Sequence, residues 1–165
     1  MAKLDKNRLI FGLLLIILIA IGEIVFHVLH VPAWPAFLIM IFFFMAHMDK
    51  KLAPNMLVGG AFGILMIIVA KIIVTSFVGA GLDQFVAFLI FVLVFVYCIV
   101  ALGEILPVLF NNYAFMALLF TATYMQTPNP QNPLILTAIL LIGGGIFILG
   151  ILGIVKLLMK LASSK

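Results

Sequence analysis

Charge is what this chain has least of. Only 8% of its 165 residues are Asp, Glu, Lys or Arg, where a soluble domain carries roughly a quarter. No polar stretch is long enough to fold into a soluble catalytic domain. There is one cysteine, Cys98, inside an apolar run; an intramolecular disulfide is excluded and the thiol reads as a small buried hydrophobe. Serine is nearly as scarce: Ser76, Ser163 and Ser164 lie near the ends of apolar runs or in the tail, with no base to activate them. No histidine pair with a carboxylate has metalloprotease spacing. The sequence therefore predicts no enzyme, no catalytic residue, no metal site and no cofactor. The net charge of +4 implies no nucleic-acid partner, because the basic residues sit at the ends of apolar runs.

What is abundant is apolar: 67% of residues, with a mean hydropathy of +1.46. The partner this implies is the lipid bilayer. A helix needs ~20 apolar residues to cross the hydrocarbon core. On that basis six segments are expected, at about 9–30, 33–48, 55–78, 84–104, 108–125 and 133–159, the second and fifth of them short. The first run is too long for a signal-peptide core and lacks a small-residue cleavage site, so it reads as a spanning helix. Lys3, Lys6 and Arg8 precede it, Lys50 and Lys51 follow the second segment, and Lys156, Lys160 and Lys165 end the sixth. With six spans all of these fall on one side, which is then cytoplasmic, with both termini. Lys71 alone is left over. Pro32, Pro35, Pro54, Pro107, Pro128, Pro130 and Pro133, with Gly79 and Gly81, mark the breaks.

The halves align. Gly22-Glu23-Ile24 matches Gly103-Glu104-Ile105, Trp34-Pro35-Ala36-Phe37 matches Asn112-Tyr113-Ala114-Phe115, Ala46-His47-Met48 matches Thr123-Tyr124-Met125, and Pro54 matches Pro133, at offsets of 81, 78, 77 and 79 residues. Three spans per half is an odd number, so the second half inserts upside down. The fold expected is an all-α polytopic membrane protein: a single membrane domain over 1–165, six transmembrane helices, and two inverted-topology three-helix repeats, about 9–78 and 84–159.

Glu23 and Glu104 are the only glutamates. A carboxylate at the bilayer centre costs ~3 kcal/mol on insertion scales, so it is expected to face a cavity or a partner. Lys71 is one such partner for Glu23; its aligned position in the second half is Gly150. Alternatively Lys71 extends outward to the interface. Glu23, His27 and His30 fall at i, i+4 and i+7 on one helix side, which suits a proton relay or part of a metal site, although all three cannot reach one ion; equally, His27 and His30 are interfacial residues. His47 beside Asp49, Lys50 and Lys51 reads as solvated. The two short segments begin with Trp34 and with Asn111, Asn112 and Tyr113. Their amino termini could receive a polar solute, or they are ordinary short helices with an aromatic belt. Gly59, Gly60 and Gly63 and the loosely matching Gly143, Gly144 and Gly145 read as close-packing faces, at a homo-oligomer interface or around a pore.

The stretch Trp34-Pro35-Ala36-Phe37-Leu38 with Phe44 and Ala46, then Tyr97-Cys98-Ile99 and Pro107 ahead of a short helix, resembles a family of small six-span bacterial inner-membrane proteins of unknown function. The resemblance implies a multi-pass protein of the bacterial inner membrane and brings no substrate or site residue. The function expected is a channel or facilitator for a small polar solute or ion along a path between the halves. Glu23, His27, Lys71, Glu104, Asn111, Asn112, Trp34 and Tyr113 are the candidate lining residues, in a homo-oligomer. The alternatives are a proton-coupled carrier, titrating at Glu23, His27 or Glu104, and a non-transporting subunit of a larger complex.

Overall fold

A computed structural model of the chain describes residues 6–163. Lys3, Lys165 and Ser164 lie outside the described residues. Six α-helices and one 3-10 turn account for most of what is described, with no strand among the described residues: α1 Lys6–Val28, α2 Trp34–Met45, the turn Lys50–Leu52, α3 Ala53–Gly79, α4 Gln84–Leu102, α5 Asn112–Tyr124 and α6 Pro133–Ser163. The helix starts follow from local chemistry. Pro35 and Pro54 stand in the first turns of α2 and α3, and Pro133 opens α6, where a missing N–H costs nothing. Asp83 caps α4, its carboxylate accepting from the amides of Phe85 and Val86. Asn132 accepts from Leu134 N–H ahead of α6.

Three helix ends share one device. The amides of Val31, Met48 and Leu82 donate to the carbonyls of Phe26, Phe43 and Phe77, five residues back. In each case the preceding residue is left-handed: His30 at φ 55°, His47 at φ 53° and Gly81 at φ 96°. This is the Schellman closure, for which glycine is the usual residue. His30 and His47 therefore occupy helix-terminating positions.

Four helices, α1, α3, α4 and α6, are long and apolar enough to cross a membrane. The segments expected at 33–48 and 108–125 are shorter as helices, 12 and 13 residues, or about 18 and 20 Å. That is well under the ~30 Å hydrocarbon thickness. Pro107 has no N–H with which to continue α4, and the fifth helix starts at Asn112, where Asn111 is extended and its side chain caps the helix. Residues 103–110 become a string of turns closed by Ile105 N–H to Leu102 O and Phe110 N–H to Leu106 O. Glu104 is therefore in a turn beyond α4, rather than inside the helix.

Packing runs between the halves more than within them. α2 lies chiefly along α6, α5 along α3, and α3 also along α6; α1 joins the bundle through α6 and α4 joins it through α3. Exchanging the two halves leaves this pairing scheme unchanged. The shared core contains Ile39, Phe42, Phe43, Met56, Ile64, Ala117, Leu136, Leu140 and Ile151, all fully buried, and Leu118 belongs to a second cluster with Ala70, Phe91 and Phe95. α2 and α5 are antiparallel across it: Trp34 stacks on Phe120, centroids 6.4 Å apart, and leans on Tyr124 at 5.6 Å, while Phe42 meets Tyr113 at 4.9 Å at the other end.

The glycines of α3 and α6 make this interior possible, and they correct the expectation that they face another subunit or a pore. A Cβ on Gly63 would strike the backbone carbonyl of Ala114, and one on Gly143 would lie 2.8 Å from Ala36 Cβ. Gly59 is pressed against Asn111, Gly60 against Leu140 and Ile39, and Gly144 against Ile39. In the alignment Gly63 and Gly143 correspond closely, as do Ala114 and Ala36, so each half contributes one small-on-small crossing. Gly145 alone of the set has open space beside it.

Candidate functional site

Two clefts lie near opposite ends of α6. The larger, about 790 Å³, lies between the carboxyl-terminal half of α3, the start of α4 and the start of α6. Its polar lining is Lys71, Thr75, Gln84 and Asn132; its apolar walls include Val74, Phe88, Met125 and Pro133. The smaller, about 540 Å³, lies between the start of α1, the end of α2 and the end of α6, lined by Asn7, Arg8, Phe11, Phe44, Met48, Val155, Leu158 and Met159. From Leu134 to Val155 the α6 axis rises about 32 Å. The two clefts use corresponding elements, with Met125 at the end of α5 matching Met48 at the end of α2. At the offset of 81 residues Phe88 matches Asn7, whereas Arg8 matches Leu89 and, at 79, Lys71 matches Gly150, so the basic side chains do not correspond. Among the described residues each holds one basic side chain, Lys71 or Arg8, and no acidic one.

Between the clefts the α2–α5 layer is closed. Phe42, Ile39, Leu118, Leu136 and Leu140 fill it. The buried polar side chain among the described residues is Thr121, whose hydroxyl donates to Ala117 O at 2.7 Å along its own helix. A backbone carbonyl one turn back satisfies it, so it offers nothing to a solute. Next to this layer the indole Nε1 of Trp34 is buried without a hydrogen-bond partner, an uncommon state for a buried donor.

The residues expected from sequence are not gathered in one cavity. Glu23 and His27 are exposed on α1 and border a depression of about 540 Å³ with Phe26, Val31 and Ala33, as large as the smaller cleft. Lys71 is exposed in the larger cleft, so the Glu23–Lys71 pair does not form. Glu104 is exposed in the turn after α4. His30 closes α1, away from any ligand set. Among the described residues no group of three His, Cys, Asp or Glu side chains could hold a metal ion.

Asn111 has a different task from the one expected. Its Oδ1 accepts from Ala114 N–H at 3.0 Å, capping α5. Its Nδ2 donates to the carbonyls of Pro107 at 2.9 Å, Val108 at 3.1 Å and Asn55 at 3.3 Å. One side chain thus ties the turns after α4 and the start of α3 to the start of α5. Asn112 is exposed as the first residue of α5, and Tyr113 packs on Phe42 as described.

Sequence reasoning passed over Arg8, Asn7, Thr75, Gln84 and Asn132 as cleft residues. Gln84 and Asn132 were legible only as turn positions. The alignment does not find Asn7 and Arg8 either, because at the offset of 81 residues they match Phe88 and Leu89. No family model, curated protein or solved structure matches the chain, so the site is read from its own geometry.

Proposed function

We propose that this chain is a multi-pass membrane carrier for a small anion or polar solute, alternately accepted by the two clefts from opposite sides of the bilayer. One observation carries the reading. Two clefts built on corresponding elements lie near opposite ends of α6, each with one basic and, among the described residues, no acidic side chain, and a dry layer separates them. A permanently open pore would need a polar or hydrated route through that layer. A carrier needs the layer closed and able to shift.

In this reading the two halves are an inverted-topology pair, and the reciprocal packing of α2 on α6 and α5 on α3 supports it. In the same reading the short α2 and α5, with the turns that flank them, make up the remaining two of six crossings. Lys6, Arg8, Lys50, Lys51, Lys156 and Lys160 then share the cytoplasmic side of a bacterial inner membrane. Lys71 sits in the cleft on the other side, where a single cation selects for negative charge and Thr75, Gln84 and Asn132 supply neutral hydrogen-bonding groups.

Uptake by liposomes holding the purified protein tests this with formate, acetate, thiocyanate and inorganic phosphate as anions and urea as a neutral solute. The expected result is saturable uptake of at least one anion above empty vesicles. Lys71→Met is expected to cut it about tenfold, the scale of one lost charge-assisted contact, with thermal unfolding in detergent unchanged. No uptake of any solute in the panel overturns the reading, and transport of urea alone removes its anion part.

A further inference from the structure

α1 is the helix the bundle covers least; none of its most apolar stretch is buried. It meets the rest of the protein along Phe11, Leu15, Leu18, Gly22 and Phe26, which pack on Phe44, Gly150 and Phe147 or join the buried clusters. The other side of the helix has its own register. Leu9, Leu13, Ile16, Ala20, Glu23 and His27 follow at alternating steps of four and three residues, and all six are exposed. That is the 3.5-residue seam by which one helix lies along another. Neither Glu23 nor His27 has a hydrogen-bond or ion-pair partner among the described residues. Facing lipid, the carboxylate would carry the cost that intramembrane charges avoid by pairing.

We propose that this seam is a dimer interface with a second copy of the chain, in which Glu23 of each copy meets His27 of the other. Two copies inserted in the same direction bring α1 against α1 in parallel about an axis normal to the membrane. Such a contact is isologous, so whatever one surface offers it must also accept. This seam is self-complementary in that sense. Glu23 supplies an acceptor and His27 a donor one turn away, about 6 Å along the axis, and the two cross-pairs form symmetrically. Lys71 cannot serve Glu23 within one chain because it occupies the cleft between α3, α4 and α6. The small side chain of Ala20, between Ile16 and Glu23, lets the helices approach at the middle of the seam. The interface leaves both clefts open, so it is independent of the transport reading.

Cysteine cross-linking in liposomes tests the geometry. In a Cys98→Ala background, Ala20→Cys places two thiols across the seam, and a disulfide needs Cα atoms within about 7 Å. The comparison is Val100→Cys on α4, which is 76% exposed but off the seam. Ala20→Cys is expected to form covalent dimers at least about tenfold faster, and equal rates overturn the proposal. Dilution of fluorescently labelled protein in micelles tests the polar pair. Glu23→Ala is expected to weaken dimerisation about tenfold, the upper range for an interhelical polar contact in a membrane. Glu23→Gln, which keeps an acceptor for His27, is expected to lose less. Dimerisation untouched by Glu23→Ala, in protein whose thermal unfolding is unchanged, also overturns it.

Discussion

The two short helices, α2 and α5, hold corresponding places in the bundle and are held there by different chemistry. α2 begins without a side-chain cap: Ala33 is already in the right-handed region at φ −77° and ψ −22°, and Pro35 stiffens the first turn. α5 begins at Asn111, extended at φ −148° and ψ 172°, with four hydrogen bonds from one side chain. At their far ends α2 closes through a left-handed His47, whereas α5 ends at Met125 in right-handed turns. The larger partners are the same in kind, since each short helix crosses a glycine on the long helix of the other half. Shared architecture therefore resides in the small-residue crossings, and the differences lie in the ends. The polar burden falls on α5 because the turns at 103–110 carry carbonyls that no regular helix satisfies, and Asn111 reaches two of them.

The sharpest way to break the comparison is at the crossings. Gly63→Ala and Gly143→Ala add the same methyl group at matching positions. At Gly63 the methyl meets the backbone carbonyl of Ala114, which moves only if α5 moves. At Gly143 it meets Ala36 Cβ at 2.8 Å and the tip of the Phe26 ring at 2.9 Å, and the ring can turn aside. Gly63→Ala is expected to destabilise by about 3 kcal/mol or more and Gly143→Ala by about half of that. Denaturant unfolding in mixed micelles measures both. Equal losses would mean that the two crossings are equally tight in the bilayer.

Asn111→Ala comes next. It removes the α5 cap and leaves the carbonyls of Pro107 and Val108 without their donor. A lost N-cap costs about 1 kcal/mol and the unsatisfied groups add to it, so about 2 kcal/mol is expected in the same unfolding experiment. The matching change in the first half, Ala33→Asn, is expected to gain less than about 0.5 kcal/mol. A capping side chain needs an extended residue, and Ala33 is not extended. A stabilisation above about 1 kcal/mol would show that the start of α2 can be redrawn to resemble α5.

Much of this was written in the sequence, and the reason differs by feature. The long runs and their breaks were legible because hydropathy and proline act locally: Pro54 and Pro133 open helices where expected. The shortness of α5 was half legible, since Pro107 marked a break but nothing local says that residues 103–110 form turns. The seats of the glycines were not legible, because a small residue invites close approach from any neighbour and only the fold decides whether that neighbour is Ala114 or another subunit. Glu23 and Glu104 aligned as a repeated dipeptide, yet one stands on an exposed helix face and the other in a turn. A repeated dipeptide in the sequence did not predict a common setting for its two glutamates. Gln84 and Asn132 looked like turn chemistry and Thr75 like an ordinary helix residue, because only tertiary packing draws them around Lys71.

The smallest effects belong to the three left-handed helix ends, and they test how far a shared device tolerates different residues. Gly81 adopts φ 96° at no steric cost, whereas His30 and His47 each hold a conformation that costs a residue with a Cβ about 1 kcal/mol. Gly81→Ala is therefore expected to lose about 1 kcal/mol, since nothing packs near that position to compensate. His30→Gly and His47→Gly are expected to gain, by less than the steric term alone, because glycine also raises the entropy of the unfolded chain by about 0.5–1 kcal/mol. The net expectation is a gain of up to about 0.5 kcal/mol at each, read as a small rise in the thermal midpoint. The two histidines separate a structural from a functional reading. If both accept glycine with uptake and dimerisation intact, they are turn residues only. If His30→Gly stabilises the fold but alters uptake, its imidazole works at the mouth of the protein, and the end of α1 differs from that of α2 in use as well as in sequence.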